Sequence, residues 1–171
     1  VTPNDAGCYI VVDGQRYRPD CSGFVRAVHA KANAPLSGSP VTTSENDVLV
    51  LHRFLHDHGE LFRSDPKPGD FVFFDNTVDR DGDGRLDDSL THVGIVEEVL
   101  DDGTVVFIHR IAQGTLRSRM NLRWPHDKTN SQTGQRINDA LRRGLKEQPA
   151  RTTAELFTDF GRMSLLQVAA R

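Results

Sequence analysis

Two segments in the first third of the chain repeat their apolar residues at helical spacing. The first, CSGFVRAVHAKANA, covers residues 21–34, and its apolar positions share one helix face: Phe24, Val25, Val28 and Ala32. Asp20 directly precedes this segment, where a carboxylate can cap free backbone N–H groups. A second apolar pattern predicts a helix over 45–58.

Apolar runs of strand length occupy the middle of the chain. FVFF (71–74), HVGIVEEVL (92–100) and TVVFIHR (104–110) are each short and apolar enough for a buried strand. DDG at 101–103 joins the last two runs, and Asp-Gly favours a tight turn. A short strand and turn are also predicted over 8–14. These runs predict an antiparallel sheet with one hairpin at its centre.

The last third of the chain carries weaker patterns. Residues 112–131 are predicted to be rich in loops, and helical segments are predicted at 134–146 and 153–160. Helices followed by an antiparallel sheet are typical of an α+β domain. We therefore predict one domain over 1–171, with a helical C-terminal extension from about 132 onward.

Composition narrows the classes of function. The chain has 171 residues and a formal net charge of −3, which favours neither nucleic acid nor an anionic membrane as partner. No apolar run approaches the roughly 20 residues that span a bilayer. The chain begins at Val1 without Met, so we expect that a signal peptide, anchor or further domain preceded it. The oligomeric state is left open by the sequence.

The chain has two cysteines, Cys8 and Cys21, too few for a fold built on disulfides. Cys21 lies in DCSGFV at the predicted helix start, where free N–H groups and the helix dipole stabilise a thiolate. Ser22 and Gly23 are small enough to let a substrate carbonyl approach the backbone. These features predict a catalytic cysteine. The alternatives are a cysteine that only packs at the helix start, or one bridged to Cys8, which is otherwise expected to be buried.

Two histidines stand at the ends of the predicted hairpin strands. His92 begins one strand and His109 nearly ends the next, so the antiparallel pairing makes them neighbours. A general base needs a second polar group that fixes its tautomer. A Cys–His–His set is therefore predicted, in which Cys21 attacks, His92 accepts its proton and His109 orients His92. The alternative is that both histidines are half-buried residues at strand ends.

The motifs DCSGFVRAV, PKPGDFVFF, THVGIVEEV and FIHR occur in an order and spacing that resemble NlpC-type cell-wall peptidases. These are papain-like enzymes with the CHAP amidases as relatives, and the resemblance covers about residues 15–112. It implies a nucleophile helix packed on a small antiparallel sheet, with Cys21 as nucleophile, His92 as base and His109 as third residue. It also implies amide hydrolysis in peptidoglycan or muropeptides through a thioester, without a catalytic cofactor, outside the cytoplasm or in the periplasm.

The same resemblance implies a substrate-binding role for Asp20 and Ser22 beside the nucleophile, and Tyr17 could stack or hydrogen-bond near the cleft. Helix capping and ordinary packing are the competing roles of these residues. The chain departs from the family pattern at 35–64, in the acidic segment before His92, and beyond about 112. These departures leave the substrate specificity open.

The stretch TVDRDGDGRLDDSLTHVGIV contains the pattern D-x-D-x-D-G-x-x-D, which resembles a calcium loop of extracellular proteins. Leu90 stands where an EF-hand has its bidentate Glu, so the resemblance is to the shorter motif. An oxygen-only donor set favours structural calcium over zinc or magnesium. The alternative is a solvated acidic turn. The predicted ligands are Asp79, Asp81, Asp83, the carbonyl of Arg85, Asp87 and Asp88.

Three alternatives remain beside this interpretation. His52 and His56 share a helix face and could form a metal pair, although a solvated face is the simpler explanation. The same catalytic set could act on an amide outside the wall or serve as an antibacterial toxin. The chain could instead be a calcium-dependent binding module with a degenerate catalytic site.

Overall fold

The fold was taken from a computed structural model that describes residues 9–32, 36, 47–142 and 149–163. Neither helix within these residues is long and apolar enough to cross a membrane. The helices are α1 (Cys21–Lys31) and α2 (Asp47–His58), with a 3₁₀ turn at Ala154–Leu156. The strands are β1 (Ile10–Val12), β2 (Gln15–Tyr17), β3 (Gly59–Phe62), β4 (Phe71–Phe74), β5 (His92–Val99), β6 (Val105–Ile111), β7 (Gly114–Met120), β8 (Ala140–Arg142), β9 (Arg151–Thr152) and β10 (Phe157–Met163).

A six-stranded antiparallel sheet in the order β3-β10-β4-β5-β6-β7 forms the centre of the fold. Both helices pack on it, and this confirms the predicted α+β class. The strand β4 explains why FVFF is apolar throughout. Phe71 and Phe73 belong to the apolar cluster shared with the helices, whereas Val72 and Phe74 belong to a second cluster. Alternate residues of a strand point to opposite faces, so both faces of β4 are buried.

The local patterns are confirmed for the first half of the chain. The helix predicted over 21–34 begins at Cys21 and extends through Lys31, and 33–35 lie outside the described residues. The helix predicted over 45–58 is described from Asp47 to its predicted end. The stretch 8–14 contributes β1 and its turn. β5 and β6 pair as the predicted hairpin around DDG.

In the last third of the chain the predicted helical segments are wrong, and the predicted loop is confirmed only over 121–131. Residues 112–131 include the regular strand β7, which pairs with β6 along its whole length. The described part of 134–146 contains β8, and 153–160 contains one 3₁₀ turn followed by the start of β10. Residues 143–148 and 164–171 lie outside the description. Partners remote in sequence decide β10, because tertiary pairing overrides weak helix propensity.

The C-terminal strand β10 is an internal strand of the sheet, since it lies between β3 and β4. Gly161 makes room for α2: a Cβ there would stand 2.8 Å from Leu55 Cδ1. Arg162 donates two hydrogen bonds to the buried carboxylate of Asp70, at 2.7 and 2.5 Å. Asp70 ends the turn before β4, so this charge pair fastens the end of the described chain to the strand that precedes the acidic loop.

Candidate active site

Cys21, the predicted nucleophile, is the first residue of α1. Asp20 before it has an extended backbone, and its carboxylate accepts hydrogen bonds from the Gly23 N–H and the Ser22 hydroxyl, both at 2.8 Å. N–H groups at a helix start have no partner within the helix, so this cap determines where α1 begins. The cap thereby places the free cysteine Cys21, a half-buried residue, at the helix start.

The segment that leads into α1 passes unusually close to the helix. A Cβ at Gly23 would stand 2.1 Å from the carbonyl oxygen of Arg18, so only glycine allows this approach. Arg110, near the end of β6, donates from Nε to the carbonyl oxygen of Pro19 at 3.1 Å. The turn before the nucleophile is therefore tied to the strand that carries His109.

His92 and His109 are in direct contact across the β5–β6 pair, as the hairpin predicted. The distance from His92 Nε2 to His109 Nδ1 is 2.8 Å, and the two rings are perpendicular. Gly94 pairs with His109 in the register, and a Cβ at Gly94 would stand 3.2 Å from the Cβ of His109 and 2.9 Å from the Phe107 ring. Glycine at this position leaves the space in which His109 reaches His92.

Helix α1, which begins at Cys21, packs on β5, which begins at His92. Burial raises the pKa of the Cys21 thiol to about 11, although a hydrogen bond from the Val93 N–H opposes this. Burial lowers the pKa of His92 to about 3, with a further contribution from His109, and it lowers the pKa of His109 to about 4. The expectation that the helix start lowers the thiol pKa is therefore wrong: desolvation outweighs the backbone N–H groups. Thiol and imidazoles are neutral near pH 7.

Ser118 is a polar neighbour of this group that the sequence reasoning missed. Its Oγ lies 3.0 Å from His109 Nε2, and both residues are buried. It lies on β7, opposite Phe107 of β6. The signal that could have found it is the alternation in RSRM, where a serine stands between two arginines and shares its strand face with Met120. Because 112–131 was predicted to be a loop, this alternation was not interpreted as a strand.

The predicted substrate residues contact the protein's own structure. Asp20 caps α1 and forms an ion pair with Arg18 at 2.9 Å. Ser22 is buried, and its hydroxyl lies 3.5 Å from a carboxylate oxygen of the buried Asp47. Tyr17 is half-buried against the helix-side apolar cluster. Their capping and packing roles are thus visible, and a role toward substrate stays a prediction.

Three carboxylates of the acidic loop come together. One oxygen each of Asp79, Asp81 and Asp88 lies within 4.8 Å of the others, so part of the predicted ligand set could hold one cation. Asp83, Arg85 and Asp87 are not in this group. Slight desolvation and the charges of Asp83, Asp81 and Asp88 raise the pKa of the exposed Asp87, so negative charge is concentrated in the loop.

The acidic loop connects β4 to β5 and closes at a hydrogen-bonded neck. The Asn76 N–H donates to the Asp88 carbonyl at 2.7 Å, and the Leu90 N–H donates to the Asp75 carboxylate at 2.7 Å. The Thr91 N–H donates to the Phe74 carbonyl at 2.9 Å. Thr91 directly precedes His92, and His92 pairs with Phe74 across β4 and β5. The neck therefore links Asp88 to the start of the strand that carries His92.

The other candidate residues lie away from this site. His52 pairs with Asp159 at 3.2 Å and His56 with Asp57 at 2.9 Å, so the two histidines face different carboxylates. Among the described residues neither belongs to a group that could hold a metal. Cys8 lies outside the described residues, and its packing stays a prediction.

Comparison with known proteins gives a family match and remote likenesses to solved structures. The crystal structure of N-acetylmuramoyl-L-alanine amidase from Staphylococcus aureus is similar over 66% of this chain and 30% of that one, with 17% identity and a TM-score of 0.42. This chain thus spans less than a third of that structure. No curated protein matches the chain.

The family match covers residues 11–110, more than half of the chain, and is to the CHAP domain. The matched range contains the nucleophile helix, the acidic loop and both hairpin histidines. The narrower likeness to NlpC-type peptidases stays a prediction. This match identifies the chain, with its antiparallel sheet and the packed helix α1, as a member of the CHAP domain family.

Proposed function

We propose that this CHAP domain is a cysteine hydrolase that cleaves amide bonds in peptidoglycan. The observation that carries the proposal is the contact of His92 Nε2 with His109 Nδ1 at 2.8 Å, on the strand whose Val93 N–H reaches the Cys21 sulphur. A nucleophile, a base and a group that orients the base are the parts that thiol catalysis of acyl transfer requires. The CHAP match and the cell-wall peptidase motifs support peptidoglycan as the substrate.

The proposed reaction begins with a neutral thiol and a neutral imidazole. As Cys21 Sγ attacks the amide carbonyl carbon, its proton passes to Nδ1 of His92, because Nε2 is occupied by His109. The tetrahedral intermediate collapses when the C–N bond breaks and His92 returns the proton to the departing amine. Water then attacks the thioester while His92 accepts a water proton, and the thiol is restored with release of the acid. Burial of thiol and base disfavours a resting ion pair, so proton transfer accompanies attack.

Purified sacculi provide the direct test of this function. We expect the protein to release soluble fragments whose masses show one hydrolysed amide per cleavage. Free stem peptides would identify an amidase, and shortened or uncrosslinked stems an endopeptidase. The same incubation with a denatured soluble protein such as casein tests selectivity for the wall. If casein is cleaved while the sacculi stay intact, the catalytic residues act on an amide outside the wall. If neither is hydrolysed, the proposal that the protein is a hydrolase is contradicted.

The substrate also implies where the protein acts. Peptidoglycan lies outside the cytoplasmic membrane, so we place the protein in the periplasm or outside the cell, as an extension of the proposed activity. An antibacterial toxin directed at another cell's wall would use the same chemistry.

We also propose that the acidic loop binds one calcium ion in a structural role. The converging carboxylates of Asp79, Asp81 and Asp88 support this, because oxygen donors suit a hard cation and a cation would relieve their repulsion. Bound calcium supplies positive charge that orders the loop. The neck of the loop connects this site to His92. The Asp88 carbonyl accepts a hydrogen bond from the Asn76 N–H, and Asn76 lies two residues after Phe74, which pairs with His92.

Chelation tests the calcium proposal. Removal of calcium with EGTA should lower the melting temperature and the hydrolytic rate together, and calcium should restore both. The double variant Asp79→Asn/Asp81→Asn should melt at the lower temperature from the start and respond to neither EGTA nor calcium. If EGTA leaves the melting temperature of the unmodified protein unchanged, the loop is only a solvated acidic turn.

A further inference from the structure

Ser118 extends the histidine pair into a relay across three strands. His92 on β5 contacts Nδ1 of His109 on β6 at 2.8 Å, and Nε2 of His109 contacts the hydroxyl of Ser118 on β7 at 3.0 Å. The three residues are at most 9% exposed, so water competes little for these contacts. Each contact needs one hydrogen, because a neutral imidazole has one N–H and one bare nitrogen.

Two arrangements of the hydrogens satisfy both contacts. In the first, His92 donates from Nε2 to His109 Nδ1, and His109 donates from Nε2 to Ser118 Oγ. In the second, Ser118 donates to His109 Nε2, and His109 donates from Nδ1 to His92 Nε2. The two arrangements place the same heavy atoms at the same distances but differ at Nδ1 of His92.

That difference decides whether His92 can act as a base. In the first arrangement the Nδ1 of His92 carries a lone pair and can accept the thiol proton. In the second arrangement Nδ1 carries the hydrogen, so His92 cannot take a proton from Cys21. Only the first arrangement fits the reaction proposed above.

We propose that Ser118 is a positioning residue whose hydroxyl keeps the productive tautomer of His92 available through His109. The inference rests on the proposed cysteine hydrolase function. The Ser118 hydroxyl can accept a hydrogen bond, so it keeps the Nε2–H of His109 satisfied in a buried place. An apolar side chain there would leave that N–H without a partner, which is unfavourable. His109 would then move its hydrogen to Nδ1, and the productive tautomer of His92 would be lost.

Ser118→Thr and Ser118→Val form the matched test pair. Both branched side chains have nearly the same shape and both suit a strand, but only threonine keeps the hydroxyl. We expect Ser118→Val to lower kcat about 10- to 100-fold with little change in KM, as expected for one unsatisfied buried donor. Ser118→Thr should retain most of kcat, and thermal melts should show both variants folded.

Nitrogen-15 spectra of histidine-labelled protein read the tautomers without any need for turnover. We expect His92 and His109 to be protonated at Nε2 in the unmodified protein and in Ser118→Thr. Both should shift to the Nδ1–H form in Ser118→Val. These spectra also separate the role of Ser118 from the proposed hydrolase function. If the protein shows the expected tautomers but cleaves no peptidoglycan, the function is contradicted and the effect of Ser118 on the tautomers still holds.

Two results would overturn the inference. One is a His92 ring protonated at Nδ1 in the unmodified, active protein. The other is a folded Ser118→Val variant with the tautomers and the kcat of Ser118→Thr, since a hydroxyl that selects nothing can be replaced by a methyl group.

Discussion

Replacement of Cys21 by Ala should lower the rate of peptidoglycan hydrolysis by at least about a thousandfold, because the proposed thioester forms on this thiol. Among the described residues Cys21 is a free cysteine, and it lies at the start of α1. Alanine keeps the helix start, since the cap is made by the Asp20 carboxylate and the Gly23 N–H. Rates of fragment release from sacculi measure the effect.

Cys21→Ser is the matched control for size. Serine keeps the shape of the side chain and its hydroxyl proton. Burial raises the pKa of the Cys21 thiol to about 11, and a serine hydroxyl is a still weaker acid and a poorer nucleophile. We expect a loss close to that of Cys21→Ala, with melting temperatures near that of the unmodified protein for both. A folded Cys21→Ala variant with unchanged turnover would remove Cys21 from the mechanism and leave a binding module as the better explanation.

Acid should destabilise this fold well above the pH at which carboxylates are protonated. The pKa values of His92 and His109 are about 3 and about 4 in the folded protein, against 6.5 for an unperturbed histidine. The neutral pair therefore makes its full contribution above pH 6.5, and this contribution is lost as the pH falls from 6.5 toward 4, since only the unfolded chain takes up the protons. At pH 5 each histidine lowers the free energy of unfolding by about 2 kcal/mol.

Urea unfolding at pH 7 and pH 5 measures this difference, expected at about 4 kcal/mol for the pair. The double variant His92→Gln/His109→Gln should lose most of the difference between the two pH values, whatever its stability at pH 7. Equal pH dependence in the variant and the unmodified protein would show that the two histidines titrate normally in the folded state.

The elements that the sequence predicted correctly are those whose signals are local. The Asp20 cap and the apolar face of α1 lie within about three helical turns, and the DDG turn joins strands that are neighbours in sequence. The hairpin also brought His92 and His109 together, because antiparallel pairing across a short turn leaves little choice of partner.

The sequence missed β7 and β10 for different reasons. β10 has only a few apolar residues, and its place in the sheet comes from pairing with both β3 and β4 and from the Arg162–Asp70 ion pair. β7 looks like a polar loop because half of its residues face water. A strand of this kind is defined by the strand beside it, and its own residues do not reveal that neighbour.

The sequence by itself determined the chemistry of this protein: a thiol at a helix start, two histidines at the ends of a hairpin, and an acidic loop before one of them. Only the tertiary structure decided how these groups behave. Burial sets the Cys21 thiol and the His92 imidazole at opposite ends of the pKa scale, and β7 places Ser118 against His109. The physical reason is that spacing along the chain fixes which groups can meet locally, whereas desolvation and hydrogen-bond partners depend on how the strands and helices pack together.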